Sequence, residues 1–368
     1  MEISVGFLLL NFKKELGIAI VIDNNQAQIK LAVDMMSGDN GAPEFFPAVV
    51  NALRAHDNLV ILAVGKEDVL KPLLENEPLF KSGRIVLVPA TEVVEMDDAP
   101  QSALRNKKDS SMRVAINYVK EGKADAAMSA GNTGALLATA KFVLKTLPGI
   151  MRPAICTSIP SLRERGYVHM LDLGANVDVT PAHLYQFAVM GSLLSSAVSL
   201  DPRPKVSLMN IGTEAMKGNE LVRGTVPLME ASDLNYIGFT EPDGIFFDDV
   251  DVIVSDGFTG NIALKTLEGT VKMIVKQLSN SFKKNLFTKC AAVVSMPVLK
   301  DLKSGMDPRK HNGASLLGLR GIVVKSHGNA DRVSFQNAIE ISVKLVEQQI
   351  IEKMRKQFET VVNEQSDE

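Results

Sequence analysis

The chain has 368 residues, of which 46% are hydrophobic and 23% are charged, and its formal net charge is −3. This composition is typical of a globular protein and excludes intrinsic disorder and fibrous classes, and the charge balance excludes a globally basic nucleic-acid-binding protein. Two cysteines form no disulfide framework, which favours a reducing compartment such as the cytoplasm.

The first 28 residues differ in pattern from the rest of the chain. Two short apolar runs flank the charged residues 13–15, and neither reaches the about 20 residues of a membrane-spanning helix. A signal peptide begins with basic residues, whereas this chain has the acidic Glu2 near its start. We therefore expect an N-terminal extension over residues 1–28.

Apolar runs typical of strands then alternate with amphipathic stretches typical of helices. The predicted strands lie, in chain order, at 29–33, 59–64, 85–88, 124–129, 167–171, 205–210, 236–239, 250–254 and 322–324. The predicted helices lie at 44–54, 66–75, 110–121, 133–144, 181–200, 217–231, from 259 onward and at 332–354. This alternation predicts an α/β, Rossmann-like three-layer fold with a mostly parallel sheet.

The same pattern predicts the domain organisation. Residues 29–356 are expected to form a single α/β domain, and the best position for an internal boundary is 148–160, where three prolines and a glycine interrupt the alternation. The polar residues 357–368 are expected to fray.

Ligands bind open α/β sheets just beyond the carboxyl ends of strands, and five predicted strand exits carry small polar residues. At the first exit, Asp34 and Asp39 flank a turn of small residues. These carboxylates either orient a polar ligand or a lysine, or serve as ordinary turn and cap residues.

The second exit joins a strand directly to a helix. Its candidate ligand-binding residues are Ser129, Gly131, Asn132 and Thr133. Backbone N–H groups at a helix start attract anions, and small residues let a phosphate approach closely. The segment is neither a Walker loop nor a Gly-x-Gly-x-x-Gly turn. The alternative to an anion site is a simple capped helix start.

The remaining exits add charged groups. The third carries Lys217 and Asn219, the fourth Asp256 and Asn261, and the fifth Lys325 and His327. A lysine at such a turn binds phosphate, polarises a carbonyl or is merely solvated, and a single histidine is either catalytic or structural. If all five exits converge on one sheet edge, they suit a phosphate-like anion held by neutral donors and one or two lysines.

No metal or cofactor is predicted. Metal-ligand spacings such as Cys-x-x-Cys are absent from the sequence. Cys156 lies in an apolar run and Cys290 precedes Ala-Ala-Val-Val, so neither is expected to be a nucleophile.

Residues 265–310 form a basic amphipathic segment. It holds ten Lys or Arg and three acidic residues, a local charge of +7, with apolar residues between the lysines. The predicted docking residues are Lys276, Lys283, Lys284, Lys289, Lys300 and Lys303. This pattern suits an anionic membrane surface or an acidic protein partner, and we expect a protruding helical segment. The alternative is a solvated helix that packs by one face. The pattern supports RNA binding least, because no recognised RNA-binding module accompanies the charge.

Four motifs together resemble the phosphate acyltransferase family from about residue 30 to about residue 350. They are SAGNTGA at 129–135, NIGTEAMKGNEL at 210–221, SDGFTGNIAL at 255–264 and NGASLLGLRGIVVKSHG at 312–328. The resemblance implies reversible transfer of a long-chain fatty acyl group from acyl carrier protein to inorganic phosphate. It also implies a cytoplasmic homodimer, bound peripherally to the inner face of the membrane, that supplies a membrane glycerol-3-phosphate acyltransferase.

This chemistry assigns roles to the exit residues. The second exit would hold phosphate, and Lys217 would neutralise the approaching charges or stabilise the oxyanion. His327 or Lys325 would assist the leaving thiol, and we assign catalytic roles to Lys217 and His327. Asp256 and Asn261 would orient the pantetheine arm or the lysine.

The first turn departs from the family pattern, Asp-Ala-Met-Gly-Gly-Asp followed by His-Ala-Pro. Ser37 replaces a glycine, one residue is inserted before Pro43, and the histidine is absent, although both acids are kept. Residues 1–28 have no counterpart in the pattern.

Three rival functions remain. One is a phosphate acetyltransferase-like enzyme that uses coenzyme A thioesters, although no nucleotide fingerprint is present. Another is a non-catalytic scaffold at the membrane surface. A dehydrogenase would need a cofactor turn that the sequence lacks.

Overall fold

The computed structural model describes residues 27–366, apart from Ala215 and Met306. The extension predicted at 1–28 therefore lies almost wholly outside the described residues. Within them, eleven strands form one sheet. They are β1 (Ile29–Asp34), β2 (Leu59–Gly65), β3 (Ile85–Pro89), β4 (Ala126–Ser129), β5 (Ala154–Pro160), β6 (Tyr167–Leu171), β7 (Lys205–Met209), β8 (Asn235–Thr240), β9 (Val252–Val254), β10 (Ala314–Leu317) and β11 (Ile322–Lys325).

Helices follow most of the strands. They are α1 (Gly41–Ala55), α2 (Glu67–Leu74), α3 (Pro78–Lys81), α4 (Pro100–Asn106), α5 (Ser111–Lys120), α6 (Thr133–Leu144), α7 (Pro181–Ser199), α8 (Glu220–Glu230), α9 (Gly257–Lys283), α10 (Leu286–Val294), α11 (Met296–Gly305), α12 (Arg332–Glu347) and α13 (Ile350–Ser366). Short 3₁₀ turns lie at Gly244–Phe246 and Pro308–His311.

The sheet order is β3-β2-β1-β4-β11-β10-β5-β6-β9-β7-β8. Most neighbouring strands in the described residues are parallel. However, β10 is antiparallel to β11 and to β5, and β5 is antiparallel to β6. After these three reversals, the group β6-β9-β7-β8 runs opposite to the group β3-β2-β1-β4-β11. The carboxyl ends of the two groups therefore lie at opposite edges of the sheet.

Helices cover both faces of the sheet, which makes three layers. One core packs α1, α7 and α12 against the sheet through the fully buried Phe45, Phe187 and Phe335. The rings of Phe45 and Phe335 stack with centroids 3.9 Å apart. The other core packs α5 and α6 through Met112 and Leu136. Because both faces are covered, β2 is buried along its whole length, as its apolar sequence LVILAVG predicts. The predicted three-layer, mostly parallel fold is confirmed.

The structure differs from the predicted elements in several places, which include the unpredicted helices α3 and α4. Strands β5 and β10 were not predicted, because β5 lies within the proline-rich stretch taken as a boundary and β10 has only four residues, ASLL. The predicted final helix at 332–354 is two helices, since Gln349 has a φ of +51°, which ends the α-helical course. Helix α13 then continues to Ser366, through most of the tail expected to fray.

The basic segment 265–310 folds into the later part of α9, followed by α10, α11 and a 3₁₀ turn. Only Gly257 and Gly260 of α9 are buried, and α10 has no buried residue. Its exposed apolar side chains include Met273, Val275, Leu286, Phe287, Val293, Val294 and Val298. Among the residues that the structure describes, no helix has the length and apolarity needed to cross a membrane.

Candidate active site

The first edge of the sheet begins with Asp34, which ends β1 and is completely buried. One carboxylate oxygen accepts the hydroxyl of Ser129 at 2.7 Å. The other accepts the backbone N–H groups of Met36 at 3.1 Å and Ser37 at 3.2 Å. Asp34 therefore holds the turn after β1 in shape and ties it to the end of β4.

The start of α6 lies beside this carboxylate. The Ser129 oxygen accepts the N–H of Gly131 at 3.0 Å, and Asn132 caps the helix by accepting the N–H of Ala135 at 2.9 Å. A Cβ on Gly131 would lie 2.6 Å from the terminal methyl of Met112 and 2.9 Å from the Cβ of Ser37, so a larger residue would require these neighbours to shift. The helix-cap alternative is confirmed for Asn132, while Thr133 is exposed. The phosphate-binding role of these residues stays a prediction.

Lys325 at the end of β11 is buried beneath the same turn. Its Nζ donates to the carbonyl oxygens of Ala130, at 3.2 Å, and Ser326. Burial lowers the pKa of Lys325 to about 8, although the charges of Asp34 and Asp39 oppose that shift. The amine is thus an internal group whose protonation changes near neutral pH.

The altered first turn docks onto the exit of β11. Asp39 donates its N–H to the carbonyl oxygen of Gly328 at 2.8 Å, and Asn40 donates its side-chain amide to Ala330 at 2.8 Å. Gly38 has a φ of +97°, a conformation that favours glycine. Ser37, which replaces a family glycine, does not have a positive φ, so the backbone accommodates it.

His327 completes the first edge and is half exposed. Its backbone N–H donates to the side chain of Asn312 at 2.9 Å, and its Nε2 lies 3.9 Å from Glu268 of α9. Partial burial lowers the pKa of His327, against the charge of Glu268. Glu268 also pairs with Lys265 at 2.9 Å. Sequence analysis missed the position of this pair because it lies on a helix rather than at a strand exit.

The second edge carries Lys217, after β7, with about half of its side chain exposed. Its Nζ pairs with Glu214 at 2.8 Å, and this hydrogen bond raises the pKa of Lys217. Asn219 caps α8 by accepting the N–H of Val222 at 2.9 Å. The side chain of Asn210 holds the turn by donating to the Lys217 carbonyl at 3.4 Å.

The start of α9 lies beside this turn, because β9 and β7 are neighbours in the sheet. Asp256 caps α9, accepting the N–H of Thr259 at 2.8 Å and its hydroxyl at 2.7 Å. Asn261 is exposed and faces Gly174, where an added Cβ would lie 3.6 Å from its amide carbon. Asp256 and Asn219 thus both cap helices, and their substrate-binding roles stay predictions.

The exit of β6 carries Asp172, which is completely buried and was not predicted as a site residue. Its carboxylate accepts the N–H groups of Ile155, Ala175 and Asn176 at 2.8 to 3.1 Å, and the Asn176 amide at 2.8 Å. Burial raises the pKa of Asp172, while these hydrogen bonds oppose it. Asn176 in turn accepts the N–H of Gly257 at 2.8 Å, which fixes where α9 begins.

The sequence led us to expect that the five exits converge on one edge of the sheet, but they do not. The exits containing Asp34, Ser129 and Lys325 meet at the first edge, whereas those with Lys217 and Asp256 meet at the second. The three antiparallel pairings in the middle of the sheet cause this separation. Helix α9 begins at the second edge and brings Glu268 to His327 at the first, a rise of about 17 Å. Lys217 and His327 therefore follow strands of opposite direction, and their catalytic roles stay predictions.

The predicted docking lysines lie on α9 to α11, and Lys276, Lys283, Lys284, Lys289 and Lys300 are all exposed. The side chain of Lys303 lies outside the described set. In the described part of the chain, no group of three or more His, Cys, Asp or Glu side chains is placed to hold a metal ion.

Known proteins are similar to this chain over most of its length. Residues 29–353 match the model of a family described as fatty acid synthesis protein. A phosphate acyltransferase from Legionella pneumophila (strain Paris) is 49% identical over 91% of this chain and 98% of its own length. One from Methylococcus capsulatus is 53% identical over 87% of this chain and 94% of its own. The chain belongs to the phosphate acyltransferase family.

Membership of this family makes the chain an enzyme, an acyltransferase, and confirms the resemblance found in the four motifs. Among solved structures, the phosphotransacetylase EutD from Staphylococcus aureus is similar, with a TM-score of 0.54 over 87% of this chain and 94% of its own. Its sequence identity is 17%, so this likeness shows a shared fold.

Proposed function

We propose that this phosphate acyltransferase transfers a long-chain fatty acyl group reversibly from acyl carrier protein to inorganic phosphate, giving acyl phosphate for phospholipid synthesis. One observation carries the location of the reaction: Lys217 is about half exposed in the turn before α8, and this turn follows β7, the sheet neighbour of the strand that leads into α9. A cation near a helix start favours both an anionic nucleophile and a developing oxyanion.

The two lysines at strand exits differ in accessibility. Ser129 and Lys325 are 1% and 7% exposed, and their polar atoms are bound to protein groups. By contrast, the side chain of Lys217 is about half exposed, although it pairs with Glu214, and Asn261 is exposed. We therefore assign Asp34, Ser129 and Lys325 to shaping the first edge, and Lys217 to the reacting groups.

The reaction needs little proton transfer. An oxygen of phosphate, already an anion at neutral pH, attacks the carbonyl carbon of the thioester. The new C–O bond forms, the C–S bond breaks, and the sulfur leaves with the electron pair. Because a thiol has a pKa of about 8.5, the thiolate is a stable leaving group that water can protonate later. The enzyme mainly positions phosphate and thioester and stabilises the oxyanion, and Lys217 is placed for both tasks.

The remaining assignments follow from this location. Asn261 would orient the pantetheine arm, while Asp256 acts through the start of α9 that it caps. His327 lies at the other end of this stretch of α9, so the proposed reaction does not route a proton through it. The exposed lysines and apolar side chains of α9 to α11 support docking of acidic carrier protein and of the inner membrane surface, and they offer a face for a homodimer. At the membrane surface, the acyl phosphate would pass to a membrane glycerol-3-phosphate acyltransferase.

The experiment compares acyl phosphate formation by wild type, Lys217→Ala and Lys325→Met. We expect Lys217→Ala to lower kcat about a hundredfold or more, the effect of losing one oxyanion-stabilising group. Lys325→Met, which removes a lysine of the first edge, should leave kcat and KM close to wild type. The reverse pattern would move the reaction to the first edge.

The thioester donor distinguishes the rival functions. Turnover with acyl carrier protein thioesters and little with coenzyme A thioesters supports the proposal, and the opposite preference supports a phosphate acetyltransferase-like enzyme. Folded protein that binds vesicles but turns over neither donor would point to a scaffold.

A further inference from the structure

A cavity of about 220 Å³ lies on the sheet face that α7 and α12 cover, away from both strand-exit edges. It is bounded by β5, β6 and β10, by the 3₁₀ turn Pro308–His311 and by the two helices. The acyl-transfer proposal leaves this cavity without a role.

His169 lines the cavity and carries an unpartnered polar atom. It is 3% exposed, and its Nδ1 lies 3.1 Å from the hydroxyl of Ser158. Its Nε2 is buried and has no hydrogen-bond partner among the described residues. A buried polar atom without a partner is costly, so Nε2 favours a hydrogen-bond acceptor beside it. Burial lowers the pKa of His169 to about 4, which keeps the ring neutral.

The mouth of the cavity is cationic. Lys310 and Lys344 line it and are exposed, and the charge of Lys344 lies close enough to His169 to contribute to the lowering of its pKa. The one carboxylate in the lining, Glu340, pairs with His56 at 2.5 Å. The cavity therefore has a neutral imidazole ring in its lining and positive charge at its mouth.

The walls of the cavity are largely apolar. Leu194 and Val198 of α7 and Ile341 of α12 line it on the helix side. Apolar walls together with a few converging polar groups are typical of small-molecule sites.

We propose that this cavity binds a small amphiphilic anion, a carboxylate or phosphate monoester with a short apolar body. Its acid group lies between Nε2–H of His169 and Lys344, and its apolar body packs against Leu194 and Ile341. The Ser158 hydroxyl then donates to Nδ1, which leaves the ring proton on Nε2 to face the anion.

The test uses the full chain labelled with ¹⁵N-histidine. The chain has five histidines, so the imidazole spectrum is sparse, and a His169→Phe variant assigns the His169 signals. The probes are hexanoate, hexyl phosphate, inorganic phosphate and hexylammonium. We expect one or both amphiphilic anions to shift the His169 signals saturably without shifting those of His183. The tighter of hexanoate and hexyl phosphate identifies the acid group.

Matched lysine variants test the mouth. Lys344→Met should weaken binding of the preferred anion roughly tenfold, as expected when a charged hydrogen bond is lost. Lys353→Met, an exposed lysine on α13, should leave the affinity unchanged. The proposal is overturned if neither amphiphilic anion shifts His169, if hexylammonium or inorganic phosphate binds as tightly, or if Lys344→Met has no effect. Acyl phosphate turnover plays no part in this readout, so its outcome is independent of the proposed function.

Discussion

Lys325 makes the stability of the enzyme depend on pH in a defined direction. Its pKa falls from 10.5 to about 8 on folding, so between these values the unfolded chain binds more protons and stability rises with pH. A shift of this size corresponds to about 3 kcal/mol. We therefore expect the free energy of unfolding of wild type, relative to Lys325→Met, to increase by roughly that amount from pH 8 to pH 10.5 in urea titrations. A difference that stays constant over this range would contradict a depressed pKa.

Among the elements, the turn between β1 and α1 depends on one close approach. In Gly38→Ala, the new Cβ would lie 2.9 Å from the Gly328 carbonyl oxygen in a backbone with a φ of +97°. Gly41→Ala is the matched control, because Gly41 has a φ of +60° and nothing within 4 Å of its Cβ. Both changes incur backbone strain of about 1 to 2 kcal/mol. Gly38→Ala should therefore lower the free energy of unfolding more than Gly41→Ala does. Equal decreases for the two variants would show that the turn can move away from the exit of β11 at no cost.

For the whole molecule, the proposed role of α9 to α11 predicts a charge-dependent association with anionic vesicles. Lys283→Glu/Lys284→Glu should weaken vesicle binding by roughly thirtyfold or more, since each lysine near such a surface contributes about 1 kcal/mol. The variant should also raise KM for acyl carrier protein. Lys81→Glu/Lys108→Glu changes the net charge equally at exposed lysines elsewhere. If both double variants lose binding equally, only net charge matters and the segment has no special role.

The sequence predicted local features better than the assembled site. The small polar side chains of the turn 34–39 and of the α6 cap stand together in the sequence and could be recognised, whereas the contact of this turn with Gly328 could not. The separation of the two edges depends on β5 and β10, and these strands are hidden by flanking prolines and by short length. The network around Asp172 was missed for a similar reason: its link to Ile155 joins residues 17 positions apart. Partners that are distant along the chain leave no local pattern.

The position of β11 in the sheet also determines when the first edge can form during synthesis. Strand β11 lies between β4 and β10, so a nascent chain that ends before residue 322 presents β4 with one side unpaired. Asp39 and Asn40 lack their acceptors, Gly328 and Ala330, until about 290 further residues have been added. Such an open edge of an apolar strand is prone to aggregation. A chain still on the ribosome is therefore prone to aggregate until β11 has been made. A chain truncated before β11 would keep β4 unpaired on that side and stay prone to aggregate.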